Sequence, residues 1–142
     1  MDDNCIFCKI IKGDIPSSKV YEDDNILAFL DINPQSTGHT LVIPKYHAAK
    51  NHELPVQYQQ ALGQGIGIVS KALVAFYNDK LDYNILQNNG SGAGQEVFHV
   101  HYHIIPKTSN DEGLKVKKWT QIPFDGPKLS STATKIQSFI NK

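Results

Sequence analysis

Arginine is absent from this sequence of 142 residues: its fourteen basic residues are all lysines, balanced by fourteen acidic ones. That absence excludes a bidentate guanidinium clamp and an arginine finger, so any phosphate must be held by other donors. The neutral balance also leaves no basic footprint and argues against nucleic-acid binding. Long apolar runs are missing too, none approaching the roughly 20 residues that a helix needs to cross a bilayer. The acidic start, Met1-Asp2-Asp3-Asn4, lacks a signal-peptide pattern. There is no internal repeat, low-complexity tract or long charge block, which favours one compact unit over residues 1–142. What is present, 40% hydrophobic and 20% charged residues, suits a globular core rather than disorder. A chain of this size buries roughly 70% of its unfolded surface and needs no staples. These features together read as one soluble, cytoplasmic domain with no membrane partner.

The apolar pattern divides the chain into short elements. Residues 5–12 (CIFCKIIK) read as one or two helical turns, broken by the turn chemistry of Gly13-Asp14-Ile15-Pro16. Residues 20–22 and 25–31 read as two strands of a hairpin joined at Asp23-Asp24, and residues 39–44 (HTLVIP) as a third strand. Between Pro55 and Asp79, Leu62, Ile66, Val69, Leu73 and Phe76 recur at intervals of four and three, the signature of one helix face. Gly63, Gly65 and Gly67 within it signal close packing against another element, or a break near the helix start. Residues 84–87 and 97–105 are the last strands, linked by the glycine-rich loop 88–94. A polar, turn-rich stretch follows to Pro127, and residues 130–140 read as a C-terminal helix with a serine cap. Strands with one long helix and little βαβ alternation predict an α+β fold on a mainly antiparallel sheet.

The most informative segment is His99-Val100-His101-Tyr102-His103-Ile104-Ile105. Alternate side chains of a strand share a face, which places His99, His101 and His103 on one side at spacings of about 6.6 Å. Val100, Tyr102 and Ile104 then point the other way, into a core. Three strictly alternating histidines after a glycine loop make the plainer readings, three unrelated histidines or a metal-binding strip, the weaker ones. An imidazole can attack phosphorus when its other ring nitrogen is hydrogen-bonded, because that bond fixes the tautomer and frees a lone pair. The loop Gly90-Ser91-Gly92-Ala93-Gly94-Gln95 lets backbone N–H groups approach an anion closely. Together the two features point to phosphoryl or nucleotidyl transfer. Cys5 and Cys8, spaced C-x-x-C, read as buried thiols, as a redox pair lacking the usual strand-to-helix context, or as two zinc ligands awaiting two more.

The segment GQEVFHVHYHIIP resembles the signature of the histidine triad (HIT) family, and CIFCKIIKGDIPSSKVYEDD, ILAFLDINP and GHTLVIPKYH resemble its Hint-like branch. The likeness covers residues 4–120 and leaves 121–142 as an extension. It implies a HIT-like fold with a five-stranded sheet, a long helix and a C-terminal helix, and a homodimer joined across the central helix and a strand. It implies that His101 is the nucleophile, forming a nucleotidyl-histidine that water hydrolyses. His103 becomes a phosphate-oxygen donor, and His99 orients His101 through its backbone carbonyl. Asp31 matches the ribose-binding carboxylate, and Ile6, Phe7, Ile10, Phe29 and Ile32 match the walls around the base. Asn88, Gly94, Gln95 and Val97 match the phosphate-side loop. Glu96 departs from the Ser or Thr of several relatives, and an ionised carboxylate there cannot donate to a bridging oxygen.

The implied activity is a purine nucleoside phosphoramidase that releases AMP or GMP from phosphoramidates and aminoacyl adenylates, with no cofactor needed for catalysis. Cleavage of dinucleoside polyphosphates in the manner of the Fhit-like branch is one rival. A nucleotide-binding scaffold with little catalysis is the other. The resemblance also joins Cys5 and Cys8 to His47 and His99 as a structural zinc site, with His39 as a competing ligand.

Overall fold

In the computed structural model, residues 1–140 are described, so the expected extension 121–142 falls outside it at its last two positions. The sheet has five strands: β1 (Lys19–Glu22), β2 (Ile26–Leu30), β3 (Thr40–Pro44), β4 (Asp82–Gln87) and β5 (Tyr102–Lys107). Their order is β1-β2-β3-β5-β4, and every neighbouring pair is antiparallel. Three α-helices accompany it: α1 (Ile6–Lys12), α2 (Val56–Phe76) and α3 (Gly126–Gln137). The α+β architecture expected from the pattern is the one observed.

Both faces of the sheet are covered, which is why β2 (ILAFL) and β3 (TLVIP) are almost continuously apolar rather than alternating. Ile26, Ala28, Val42, Val100 and Ile104 face α2 and pack with its Leu62, Val69 and Leu73. Leu27, Phe29, Leu41 and Ile43 face the other way and pack with Phe7, Cys8 and Ile10 of α1. Helix α1 is short, and its ends are held by specific bonds. The Cys5 Sγ accepts from the Cys8 N–H at 3.4 Å, and Gly13, at φ 86°, closes the C-terminus by donating to Ile10.

Several boundaries differ from expectation, among them β4, which begins at Asp82 rather than at residue 84. β5 starts at Tyr102 rather than at residue 97, because its pairing with β3 ends at Val42↔Tyr102 and with β4 at Gln87↔Tyr102. The same strand runs on through Pro106 to Lys107. The C-terminal helix begins at Gly126, not at residue 130: Asp125, not a serine, caps it by accepting from the Lys128 N–H at 3.1 Å, and Pro127 fits the first turn. None of α3's residues is buried. Helix α2 is unbroken and stops at Phe76, with Asn78 and Asp79 in the left-handed region just beyond.

The glycines of α2 separate into two kinds. A Cβ on Gly65 would lie 2.0 Å from the Ile26 Cδ1, whereas those on Gly63 and Gly67 would meet nothing within 4 Å. Close packing therefore explains Gly65 alone. Gly65→Ala is expected to cost about 1–3 kcal/mol of overpacking. Gly67→Ala is expected to stabilise the helix by about 0.5–1 kcal/mol. Urea unfolding of the two variants checks the opposite signs.

Candidate active site

Residues 99–101 lie outside the sheet's hydrogen-bond ladder, yet the side chains still alternate as expected. Val100 is fully buried on the α2 side, and its N–H donates to the Ala48 carbonyl at 2.8 Å. On the opposite side the His101 and His103 rings lie 5.0 Å apart between centroids, and Phe7 stands edge-on to His99 at 5.9 Å and to His101 at 5.2 Å. The triad thus shares a face that looks toward α1.

Each ring has a tautomer set by its partners. The His101 Nδ1 lies 2.8 Å from the His99 carbonyl. A carbonyl only accepts, so Nδ1 carries the proton and Nε2 keeps its lone pair. His99 itself is fully buried; its Nε2–H donates to the Pro44 carbonyl at 2.9 Å, leaving Nδ1 as an acceptor. Burial pushes the His99 pKa down to about 4, so it stays neutral.

A fourth imidazole completes the set. His39 is 3% exposed; its Nδ1 accepts from the Gln35 N–H at 3.0 Å, so its Nε2–H faces the His103 Nδ1 at 2.9 Å. His103 must then carry its proton on Nε2. The bonds form a one-way chain in which the Gln35 backbone fixes His39, and His39 fixes His103 as a donor. Burial lowers the pKa of His39 against the pull of Asp31. Burial, then His101 and His39, lower that of His103 to about 4, also against Asp31. This role of His39 was not visible in sequence, where it stood only as a competing metal ligand.

The His101 and His103 side chains line a cavity of about 490 Å³. Its walls include Ile6, Phe7 and Ile10 from α1, Phe29 from β2, and Asp31 and Ile32 from the turn after it. Asn88, Gly94 and Val97 also line it, so these expected nucleotide-site residues converge. Asp31 caps the turn by accepting from the Asn33 N–H at 2.8 Å, and its Oδ2 lies 3.5 Å from the His39 Nε2. Gln95 is placed differently from expectation. It is 3% exposed and does not line the cavity; it accepts from the Gly90 N–H at 2.7 Å and donates to the Ala49 and Val97 carbonyls at 2.7 and 3.0 Å. Its role is to pin the glycine loop. The wall also includes Ile15, Pro16, Ser17 and Leu41, which sequence reasoning did not pick out, and Glu96.

Behind the triad, Cys5, Cys8, His47 and His99 bring their ligand atoms within 4.8 Å of one another and could hold a metal ion. The His99 Nδ1 is 3.4 Å from the Cys5 Sγ, 3.6 Å from the Cys8 Sγ and 3.2 Å from the His47 Nδ1; the Cys8 Sγ and His47 Nδ1 are 3.4 Å apart. Both cysteines are free. His39 points away into the other cluster, with Asp31 and His103.

Residues 12–110 match the HIT domain. The adenosine 5'-monophosphoramidase hnt1 of Schizosaccharomyces pombe is 47% identical over 96% of this chain and 98% of that protein. A Leishmania major protein of solved structure is 48% identical, with a TM-score of 0.92 over 99% of this chain and 98% of that one. A HIT family protein from Bacillus subtilis is 39% identical, with a TM-score of 0.91 over 99% of both. The chain therefore belongs to the HIT family, whose fold its sheet and helices reproduce. Within that family it is a Hint-like nucleotide hydrolase. Among the described residues, no helix is long and apolar enough to cross a membrane.

The lowered pKa of His103 has a consequence for stability. The folded state resists a proton that the unfolded chain accepts at its ordinary pKa near 6.5, so the stabilisation is complete above that value. It is lost as pH falls toward about 4. Thermal unfolding should show Tm falling between pH 6.5 and 4.5, with a shallower slope in His103→Gln; an equal slope in both proteins would show that His103 is not the group responsible.

Proposed function

We propose that the protein is a purine nucleoside phosphoramidase that passes the nucleotide through His101. The observation that carries this reading is the 2.8 Å bond from the His101 Nδ1–H to the His99 carbonyl, which leaves Nε2 as a free base on the cavity wall. Nε2 attacks the α-phosphorus and the phosphorus–nitrogen bond breaks. Its electron pair stays on the leaving nitrogen, which takes a proton from solvent and departs as an amine. Positive charge developing on the imidazole is met by the His99 carbonyl, and the His103 Nε2–H donates to a non-bridging phosphoryl oxygen. Water then attacks phosphorus, the bond to Nε2 breaks, and AMP or GMP leaves. The base stacks between the apolar walls of α1 and Phe29, and Asp31 accepts from the ribose hydroxyls. Aminoacyl adenylates, which carry the same nucleotide with a carboxylate leaving group, fit the same scheme.

We assign the Cys5, Cys8, His47 and His99 cluster to a structural zinc ion. A tetrahedral zinc with bonds of about 2.3 Å to sulfur and 2.0–2.1 Å to nitrogen has ligand–ligand edges of about 3.3–3.8 Å. The separations of 3.2–3.6 Å already match them without an ion to draw them in. When bound, the ion would fix α1 against the triad, and all four of its positions would be filled by protein. The His99 Nε2 bond to Pro44 and the His47 Nε2, 3.7 Å from the Asp2 carboxylate, are the outer contacts such a site uses. Free thiols in this role suit a cytoplasmic location. We also infer a homodimer. Edge strand β4 leaves Ile85 half exposed, an apolar side chain that a second copy would cover. Light scattering reads the oligomeric state directly.

Rapid quenching with adenosine phosphoramidate, followed by peptide mass analysis, should find one adenylyl group on His101. His101→Ala should lose turnover by at least about 10⁴-fold while still binding AMP. An adduct on any other residue overturns the mechanism. Metal analysis should find one zinc per chain, lost in Cys5→Ser together with about 10 °C or more of Tm, in line with the few kcal/mol that a structural site adds to a small domain.

A further inference from the structure

Among the described residues, no lysine lines the cavity that would receive a nucleotide phosphate. Its ionisable residues are Asp31, Glu96, His39, His101 and His103. Lys50 lies by Gly90 at the glycine loop but does not line the cavity. The phosphate is therefore met by imidazole and backbone donors rather than by a lysine ammonium, and the carboxylates on the wall are Asp31 and Glu96.

These carboxylates have different surroundings. Asp31 sits beside His39 and is tied into the turn after β2. Glu96 lies between Gly94 and Val97, on the segment that leads into the triad, and is exposed. Its neighbour Gln95 is buried and spends its amide on the Gly90, Ala49 and Val97 backbones. That inward anchor turns the adjacent side chain outward, to the cavity wall. With the nucleoside placed against α1 and Asp31, as the proposed function requires, Glu96 is the wall carboxylate left to face the leaving group.

We propose that Glu96 is a specificity determinant that selects leaving groups carrying an additional ammonium, as a diamine or the amino acid of an aminoacyl adenylate does, and disfavours those whose only charge is negative, such as phosphate, pyrophosphate and sulfate. An ammonium beside Glu96 gains an ion pair, whereas an anion meets a like charge with no lysine to offset it. The inference rests on the nucleotidyl-transfer reading of the same site. Glu96 touches no reacting atom in it: the phosphorus–nitrogen bond breaks and the amine is protonated as before.

The test compares kcat/KM for three adenosine 5'-phosphoryl substrates: a phosphoramidate of an alkyl diamine, whose distal nitrogen is an ammonium; its neutral alkyl isostere; and adenosine 5'-phosphosulfate. The native enzyme should prefer them in that order. Glu96→Gln should reduce the ammonium-bearing substrate about fivefold relative to the neutral isostere, the upper range for an exposed ion pair. Glu96→Lys should reverse the preference, raising the phosphosulfate by a similar factor, and added salt should shrink all of these differences. Equal changes on all three substrates would mark Glu96 as structural, equal losses on the two phosphoramidates alone would mark it as a general acid, and either outcome, like no change at all, would overturn the proposal. A native enzyme that turns over none of the three overturns the functional reading itself.

Discussion

Two groups of one residue organise this site: the carbonyl oxygen and the ring of His99. The carbonyl receives the His101 Nδ1–H and so decides which nitrogen of His101 is basic. The ring is immobilised from both sides, by the Pro44 carbonyl at the end of β3 and by the thiols and imidazole of the N-terminal cluster. A carbonyl is only as well aimed as the peptide that carries it. Residues 99–101 have no ladder bonds of their own, so the pinned ring and the Val100 N–H bond to Ala48 replace the sheet in fixing that peptide.

The electrostatics follow from the missing arginine. A guanidinium would hold phosphate by charge; this cavity has four imidazoles at its centre or behind it, two of them held near pKa 4 by burial. Neutral imidazoles give directed lone pairs and N–H donors whose positions are set by tautomer, not by net charge. The cost is that every tautomer needs a partner. The structure supplies each one from backbone: His99 for His101, Pro44 for His99, and Gln35, through His39, for His103. Donors fixed in advance need little reorganisation as charge builds on phosphorus.

Much of this was legible in sequence for a simple reason: alternation in an extended chain depends on backbone geometry, not on ladder bonds. The face shared by His99, His101 and His103 was therefore readable although β5 begins only at Tyr102. The apolar runs of β2 and β3 and the period of α2 were equally plain, because burial writes itself into side-chain type. What sequence hid were roles set by long-range hydrogen bonds. His39 looks like an ordinary strand residue until β3 is laid beside β5, which brings it to His103. Gln95 belongs to a motif that suggests phosphate contact, yet its amide has three backbone partners closer at hand. Asp125 does not stand out as a cap in sequence because it lies in the turn-rich stretch ending at Pro127, although proline suits a first turn.

Helix α1 links the two clusters most tightly. Cys5 caps it, Cys8 lies on its inner face, and Ile6, Phe7 and Ile10 of the same seven-residue helix form cavity wall. An isolated helix of that length is unstable in water, so the wall exists only while something holds the helix down. Two things do: the apolar contacts of Phe7, Cys8 and Ile10 with β2 and β3, and the convergence of both thiols on His47 and His99. The cysteine cluster and the nucleotide-facing wall are opposite sides of one short element. Loosening the thiol side would therefore open the cavity and, through His99, release the carbonyl that aims His101.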